Sequence, residues 1–171
     1  MLPPPRETGR PYRVALVCLG NICRSPMAHV VLEERLAEAG LADAVEVDSF
    51  GTGDWHVGRP MDERAAAALT RAGYDATRHR ATQYAAPLIA DHDLVLAMDH
   101  ENAADLRDLG VPEDRLGLFR AFDPEPGDGA VPDPYYGGDD GFTPVLRIVE
   151  RTAEALVPAL RDALRGKASR A

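Results

Sequence analysis

The sequence predicts an α/β fold: one domain built on a four-stranded parallel sheet, doubly wound, with helices on both faces. Short apolar runs of strand length alternate along the chain with longer segments whose apolar residues recur at helical spacing. Strands that alternate with helices pair in parallel, because each helix carries the chain back over the sheet. The chain of 171 residues is long enough for one domain with its own core and too short for two.

The first strand, loop and helix lie near the amino terminus. Residues 13–17 form a short apolar run, and the polar stretch CLGNICRS follows it directly. Ser25 has the chemistry of a helix N-cap and Pro26 that of a first helical position. Apolar residues then recur at helical spacing as far as Gly40, which is expected to end the helix. The unit therefore predicts a tight loop that joins a strand to the start of a helix.

The remaining elements are predicted from apolar runs bounded by capping or breaking residues. In chain order they are a strand over 45–47, a glycine-rich loop over 51–58, a helix from Pro60 to Gly73, a strand over 94–98, a helix from Asp99 to Gly110, a short strand over 116–119 and a long helix that starts at Thr143 and Pro144. The 94–98 strand is apolar throughout, which indicates burial on both faces. The segment 123–141 is rich in Pro, Gly and Asp, and a connection of that length is usually functional or disordered.

Composition and charge limit the kinds of molecule that this chain is expected to bind. The net charge is −9 and the pI is near 5.0, whereas nucleic acids and anionic membranes favour clustered positive charge, so neither is expected as a partner. No apolar run is long enough to span a bilayer, and residues 1–11 lack the apolar stretch of a secretory signal. We expect residues 1–11 to be a flexible tail, residues 12–166 the domain and residues 167–171 a C-terminal tail. Two cysteines do not make a disulfide scaffold, so a cytoplasmic location is expected.

The stretch from Cys18 to Ser25 has the composition of an anion-binding loop. Unpaired backbone N–H groups at a helix start point at whatever lies in front of them. Gly20 and Asn21 are residue types that adopt positive φ, which turns successive N–H groups inward. Arg24 adds a planar fork that holds two phosphate oxygens. Thiols at helix N-termini or beside cations ionise easily, so Cys18 is expected to be a nucleophilic thiolate with Ser25 as its hydrogen-bond partner.

The 123–141 loop offers an acid that would complete the chemistry of a phosphate-ester hydrolase. Hydrolysis needs an acid to protonate the leaving oxygen, and Asp133 is one candidate. Tyr135 and Tyr136 follow it and offer flat surfaces to an aromatic substrate. Spacing alone does not choose Asp133 over the other acids of the loop, which are Asp123, Asp128, Asp139 and Asp140. Spacing also leaves open the plainer interpretation of Cys18 as a small buried residue at a strand end.

CLGNICRSP near the amino terminus, together with DPYYG in the last third, resembles the low-molecular-weight protein tyrosine phosphatases, and the similarity runs from about Tyr12 to Leu164. The resemblance implies a flavodoxin-like fold and hydrolysis of phosphotyrosine in protein substrates, with no cofactor. It implies that Cys18 forms a phosphocysteine, that Arg24 and the loop amides bind the phosphoryl group, and that Asp133 donates and then withdraws a proton. The further positions it implies are the phosphate-loop residues Leu19, Gly20, Asn21, Ile22, Cys23 and Ser25, the loop supports Ser49 and His79, and the pocket walls Trp55, Tyr135 and Tyr136.

The same residues bear on three alternative functions. Arsenate reductases on the same fold pass a disulfide along a series of cysteines, and only Cys18 and Cys23 are present. Related phosphoarginine phosphatases tend to carry threonine where this chain has Ile22, and a non-catalytic phosphopeptide-binding module would need neither Cys18 nor Asp133. Inorganic phosphate and oxyanion inhibitors are expected to bind the loop, and the chain is expected to be a monomer or weak dimer.

Two further expectations concern Cys23 and metal ions. Cys23 lies in the same loop as Cys18, so an oxidised Cys18 is expected to form a reversible disulfide with it, and simple apolar packing of Cys23 is an equal alternative. The stretches 91–93 and 99–101 contain histidine and acidic residues, but they flank the 94–98 strand, and neighbouring residues on a strand point to opposite faces. No metal is therefore expected.

Overall fold

The sheet is the frame of the molecule. In the computed structural model, which describes residues 1–169, it consists of β1 (Tyr12–Cys18), β2 (Val45–Gly51), β3 (Leu94–Ala97) and β4 (Leu116–Leu118). The strand order is β2-β1-β3-β4 and every pairing is parallel, so the predicted four-stranded parallel sheet is confirmed. The chain moves from β1 outward to β2 and then returns to the far side of β1 as β3, so the direction of winding reverses between β1 and β3. Sheets of this kind bind ligands at the carboxyl ends of the strands, beside that reversal.

Helices cover both faces of the sheet, as predicted. The helices α1 (Arg24–Glu38), α2 (Glu63–Arg71) and α4 (Phe142–Ser169) share one apolar core, whereas α3 (His100–Leu109) contributes to a second core on the opposite face. Side chains alternate along β1: Val14 and Leu16 enter the first core, and Ala15 and Val17 enter the second. All four are 0% exposed, so the middle of the central strand has buried apolar side chains on both faces.

The start of α1 differs from the prediction. The helix begins at Arg24 with Cys23 at the N-cap position, and Cys23 makes no capping hydrogen bond through its side chain. Ser25, the predicted cap, directs its hydroxyl back into the preceding loop, where it contacts the Cys18 sulfur and accepts from the Asn21 side chain. The predicted capping role of Ser25 is therefore wrong, because the loop uses the same hydroxyl.

The start of α2 is also later than predicted, while α3 matches its predicted bounds. α2 begins at Glu63 rather than at Pro60, because Asp62 is its N-cap and the Asp62 carboxylate accepts from the Arg64 amide at 2.8 Å. α3 is capped by Asp99, and Gly110 closes it in the left-handed conformation with φ of 114°. Both outcomes follow the general preference for aspartate at helix starts.

Residues 1–11, predicted to be a flexible tail, contact the amino-terminal edge of the sheet. The Arg6 amide donates to Asp93 at 2.6 Å, and the Tyr12 hydroxyl donates to the Pro3 carbonyl at 2.8 Å. The mobility of this segment stays a prediction. At the other end α4 continues to Ser169, so residues 167–169 of the predicted C-terminal tail are helical, and residues 170–171 lie outside the described residues. Over the described range, no helix has the length and apolarity needed to cross a membrane.

Candidate active site

The loop between β1 and α1 lies at the carboxyl edge of the central strand. Cys18 is the last residue of β1, and α1 begins at Arg24, so residues 19–23 make the whole turn. Asn21 adopts positive φ (57°), as predicted, whereas Gly20 does not. Gly20 serves a different purpose, because a Cβ there would lie 3.1 Å from the His56 ring. The glycine therefore permits close packing of the loop against His56 rather than a left-handed turn.

Asn21 is the centre of the hydrogen bonds that hold this loop. Its side-chain Nδ2 donates to Ser25 Oγ at 2.8 Å and to Ser49 Oγ at 3.2 Å. Its Oδ1 accepts from the Thr82 amide at 2.9 Å, and its backbone carbonyl accepts from His79 Nε2 at 2.6 Å. Ser49 and His79, the two predicted loop supports, both contact Asn21, and Thr82 is a third support that the sequence did not single out.

His79 makes its contact from a half-buried position. Burial lowers the pKa of His79 below its ordinary value, and the hydrogen bond to the Asn21 carbonyl opposes that shift. The low pKa favours the neutral imidazole, which donates through Nε2 and places no second positive charge beside the anion loop. His79 thus shapes the loop through a hydrogen bond, and Arg24 supplies its permanent cation.

The sulfur of Cys18 faces hydrogen-bond donors. Cys18 is 2% exposed, and its Sγ lies 3.0 Å from Ser25 Oγ and 3.2 Å from the Asn21 amide nitrogen. The Ser25 hydroxyl also lies 3.2 Å from the Phe50 carbonyl, so its single proton is available to either acceptor. Burial, aided by the negative charges of neighbouring groups, raises the pKa of the Cys23 thiol well above its ordinary value, so Cys23 is a protonated thiol at neutral pH.

Arg24 is almost entirely buried and points across the mouth of the loop. Its Nη1 donates to Asp99 Oδ2 at 2.7 Å and to the Val131 carbonyl at 3.1 Å, and its Nη2 lies 3.5 Å from Asp133 Oδ2. Burial works against the charged form, but the charge of Cys18 and the contacts with Asp99 and Asp133 raise the pKa of Arg24 above its ordinary value. The guanidinium is therefore a fixed cation in the site.

Asp99 holds two segments at once and was missed as a site residue. One carboxylate oxygen, Oδ1, accepts from the Asn102 amide at the start of α3, and the other accepts from Arg24. Only the capping role was predicted. The signal that was present is positional, because Asp99 follows β3 at the carboxyl edge next to β1, where ligand sites form.

One cavity of about 440 Å³ brings the predicted side chains together. Its lining residues are Cys18, Leu19, Gly20, Ile22, Cys23, Arg24, Trp55, His56, Asp133, Tyr135 and Tyr136. The walls are aromatic and open to solvent, since Trp55 is 67% exposed, Tyr135 38% and Tyr136 89%. His56 was not predicted from the sequence; its ring centroid lies 6.3 Å from that of Tyr135.

The acids of the 123–141 loop have different surroundings. Asp133 lines the cavity, and its Oδ1 accepts from the Tyr135 amide at 3.1 Å. Asp123 is buried away from the cavity and paired with Arg151, and Asp128 accepts from the Ala130 amide. Among the acids of this loop whose side chains are described, Asp133 is the one that lines the cavity.

The histidine and acidic residues around β3 take part in ordinary hydrogen bonds. His92 lies 3.0 Å from the Leu88 carbonyl and 3.2 Å from Asp48 Oδ2, and Asp93 accepts from the Arg13 amide at 2.8 Å. Among the side chains that the structure describes, no three His, Cys, Asp or Glu residues are grouped as metal ligands would be. The absence of a metal and of a cofactor stays a prediction.

A loop that carries a cysteine at its start and an arginine at the head of the next helix, with an aspartate facing both, defines the class of cysteine-dependent phosphate-binding α/β proteins. The family described as "Low molecular weight phosphotyrosine protein phosphatase" matches residues 13–167. The chain therefore belongs to the low-molecular-weight protein tyrosine phosphatases, a hydrolase family, as its sequence resemblance implied.

Individual relatives agree with this family. A low molecular weight protein-tyrosine-phosphatase of Streptomyces coelicolor is 44% identical, over 92% of this chain and 99% of that protein. The low molecular weight protein-tyrosine phosphatase A of Mycobacterium tuberculosis (strain ATCC 25618 / H37Rv) is 46% identical, over 89% of this chain and 91% of that protein. The crystal structure of YfkJ from Bacillus subtilis superposes with a TM-score of 0.85 at 32% identity, over 91% of this chain and 98% of that chain.

Proposed function

We propose that this chain hydrolyses phosphotyrosine through a covalent phosphocysteine on Cys18, with Arg24 binding the phosphoryl group and Asp133 acting as general acid and base. The observation that carries the proposal is that these three side chains line one cavity, with Arg24 2% exposed and held at 2.7 Å by Asp99. Each of the three supplies a different requirement of phosphate-ester hydrolysis: a nucleophile, a fixed cation and a proton donor.

The first step transfers the phosphoryl group to Cys18. The loop amides and the Arg24 fork hold the phosphoryl oxygens. Nη1 is already engaged by Asp99 and Val131, whereas Nη2 has the longer 3.5 Å contact with Asp133, so Nε and Nη2 are the donors offered to the substrate. The Cys18 sulfur attacks phosphorus, an S–P bond forms and the bond from phosphorus to the phenolic oxygen breaks. Asp133 gives its proton to that oxygen, and tyrosine leaves.

The second step returns the enzyme to its starting state. A water molecule attacks the phosphorus of the phosphocysteine, Asp133 withdraws the proton of that water, and the S–P bond breaks to release inorganic phosphate. Ser25 Oγ, 3.0 Å from the sulfur, donates to it as negative charge returns. Because inorganic phosphate is the product and fits the same loop, it is expected to inhibit competitively, as are related oxyanions.

The rim of the cavity supports a protein substrate rather than a small phosphate ester. Seven large apolar side chains in the described part of the chain are exposed, and Leu19, Trp55, Tyr135 and Tyr136 line this cavity. A concentration of exposed apolar surface around a polar site is typical of protein recognition. Trp55 and the two tyrosines would flank the substrate ring while the residues on either side of it contact the rim.

The alternative functions lack comparable support. A disulfide relay needs more cysteines than the two present, and a binding module needs neither Cys18 nor Asp133. Ile22, at 9% exposure, places an apolar side chain in the cavity where the related phosphoarginine phosphatases tend to have threonine. We further propose that the chain acts in the cytoplasm as a monomer or weak dimer.

The test compares kcat/KM for an aryl phosphate with values for serine, threonine and arginine phosphates. We expect the aryl phosphate to be preferred by at least about a hundredfold, which corresponds to about 2.7 kcal/mol of transition-state discrimination. C18S should abolish turnover and retain inorganic-phosphate binding, because the loop amides and Arg24 remain. Comparable turnover of an arginine phosphate, or measurable turnover by C18S, would contradict the proposal.

A further inference from the structure

Arg64, near the start of α2, reaches across to the loop that carries Asp133. Its Nη1 donates to the Gly137 carbonyl at 2.9 Å, and its Nη2 donates to the Tyr135 carbonyl at 3.0 Å. Both carbonyls lie just after Asp133 in the chain. One planar guanidinium therefore fixes the two backbone groups on either side of Tyr136.

The guanidinium of Arg64 is itself held on the side away from this loop. Asp62 accepts from Arg64 Nε at 3.1 Å through Oδ1 and from Nη2 at 3.0 Å through Oδ2, which is a two-point ion pair. The guanidinium carbon also lies 4.7 Å from the ring centroid of Phe142, a residue with 0% exposure at the start of α4. These contacts give Arg64 little freedom to move independently of α2.

The same turn of α2 also touches the phosphate-binding loop. The Asp62 amide donates to the Ile22 carbonyl at 2.9 Å. Asp62 thus contacts the loop of the nucleophile through its backbone and Arg64 through its side chain. The start of α2 is a physical connection between the loop that carries Cys18 and the loop that carries Asp133.

The Asp133 loop has a second anchor on its other side. The Val131 amide donates to the Met98 carbonyl at 2.8 Å, and the Val131 carbonyl accepts from Arg24 Nη1 at 3.1 Å. Asp133 lies between this anchor and the two carbonyls held by Arg64. The position of its carboxylate relative to Cys18 therefore depends on both anchors.

We propose that Arg64, held by Asp62, is a positioning residue for Asp133, an inference that rests on the proposed role of Asp133 as general acid and base. Proton transfer in the transition state requires the acid to be within hydrogen-bond reach of the leaving oxygen, and a displacement of about 1 Å costs up to about a hundredfold in rate. Without Arg64 the carbonyls of Tyr135 and Gly137 lose their partner. Asp133 then occupies the productive position for a smaller fraction of the time.

The experiment measures kcat/KM over a series of aryl phosphates whose leaving phenols differ in basicity. R64K and R64Q remove the planar fork, and D62N keeps an asparagine cap on α2 while removing the charge that holds Arg64. For basic leaving groups we expect a loss of about tenfold in both Arg64 variants and a smaller loss in D62N, and less than about threefold for the most acidic phenol. D133N is the reference, with the steepest dependence on leaving-group basicity.

Two controls separate positioning from damage to the fold. R107A removes an arginine that pairs with Glu113 on the exposed end of α3, and it should leave the series unchanged. The inhibition constant of inorganic phosphate should stay within about twofold of wild type in R64K and D62N, because the phosphate loop is intact. The inhibition constant of inorganic phosphate and the melting temperature together identify any variant that is merely misfolded. The variants that remain folded test whether Arg64 positions Asp133.

Each outcome of the series has one meaning. Equal losses at every leaving group in the folded Arg64 variants, or no loss, overturn the positioning role while the proposed hydrolysis stands. A D133N variant with the leaving-group dependence of wild type overturns the assignment of Asp133, and the role of Arg64 with it. A loss that grows with the basicity of the phenol in R64K, R64Q and D133N alike supports the inference.

Discussion

Three groups from two other segments of the chain meet at the Arg24 side chain. Asp99 follows β3, Val131 belongs to the loop after β4, and Asp133 lies two residues further on. The planar fork binds two of these groups through Nη1 and still presents donors to the loop in front of it. A lysine ammonium has the same charge but no fixed set of directions, so it does not satisfy Asp99, Val131 and a phosphoryl group together.

We therefore expect R24K to lower kcat/KM for an aryl phosphate by at least about a hundredfold and to weaken inorganic-phosphate inhibition. The measurement is steady-state kinetics with a phosphate inhibition series. D99N is the matched variant: its amide oxygen still accepts at the start of α3, and its NH2 group replaces the oxygen that accepts from Arg24. Arg24 then keeps its planar fork and loses one anchor, so the effect should be smaller. A loss of less than about tenfold in R24K would contradict the role given to the fork.

Cys23 is a second residue whose role is open to test. It is 5% exposed, and its raised pKa keeps it protonated, so it does not compete with Cys18 as a nucleophile. Oxidation of Cys18 by peroxide gives a sulfenic acid, and condensation with the Cys23 thiol forms a disulfide and releases water. Cytoplasmic thiols reduce such a disulfide, whereas further oxidation of an isolated sulfenic acid is irreversible.

We expect peroxide to inactivate the wild-type enzyme reversibly and C23S irreversibly, with each protein normalised to its own activity before exposure. The measurement is the activity recovered after treatment with a dithiol, supported by the mass of the Cys18 peptide. Equal recovery in both proteins would assign Cys23 to packing alone. This residue-scale prediction requires nothing of Asp133 or of the substrate.

At the scale of elements, the strand β2 shows why local sequence patterns predict a strand that is too short. The apolar run 45–47 predicted its start, and the polar pair Asp48 and Ser49 indicated its end, yet β2 continues to Gly51. Both polar side chains have partners that lie far away in sequence. Asp48 contacts His92, and Ser49 accepts from Asn21. A polar residue is compatible with a buried strand when residues from other elements provide its hydrogen-bond partners. Those partners cannot be identified from the sequence of the strand itself.

The elements also explain which parts of the site were predictable. The loop from Cys18 to Ser25 was found because its chemistry is contiguous in sequence and its place at a strand end follows from the apolar run before it. Asp99 and Arg64 were not found, since their contacts join residues from separate elements. Asp99 is explained locally as a helix cap, and Arg64 is explained locally as a surface residue of α2. Their contacts with Arg24 and with the Asp133 loop arise only when α2 and β3 pack against the loops.

At the scale of the whole molecule, acidic side chains favour the folded state at neutral pH. Six carboxyl groups in the described part of the chain have pKa values below their ordinary values; they are Glu33, Asp48, Asp62, Asp75, Glu113 and Asp123. A lowered pKa in the folded state contributes stability above the unfolded value of about 4, and that contribution is lost as the pH falls through the folded value. The net charge of −9 has the opposite effect on stability. As the pH falls toward the pI near 5.0, protonation reduces the repulsion between negative charges and so favours the folded state.

Asp123 is the buried member of this set and ties the segment after β4 to α4. Its side chain is 0% exposed, and it accepts from Arg151 Nε at 3.0 Å, from Arg151 Nη2 at 2.9 Å and from the Glu125 amide at 2.9 Å. Burial alone would raise the pKa of Asp123, but the hydrogen bonds from Arg151, the Glu125 amide and Arg120 outweigh it. Its carboxylate is thus stabilised by the fold and stabilises the fold in return.

We expect D123N to lower the free energy of unfolding by about 2 kcal/mol at pH 7, because the single amide oxygen accepts only one of the two hydrogen bonds from Arg151 and the amide NH2 group faces the other donor. The difference from wild type should shrink as the pH falls below about 4, because Asp123 of the unfolded wild-type chain then binds a proton while folded Asp123, with its lowered pKa, is still charged. Denaturant unfolding of both proteins between pH 7 and pH 3 measures this. D162N removes an exposed acid that lies 4.0 Å from Arg165, and it should change the free energy of unfolding by less than about 0.5 kcal/mol at every pH. A difference between D123N and wild type that stays constant over the whole range would show that the Asp123 contribution comes from shape rather than from charge.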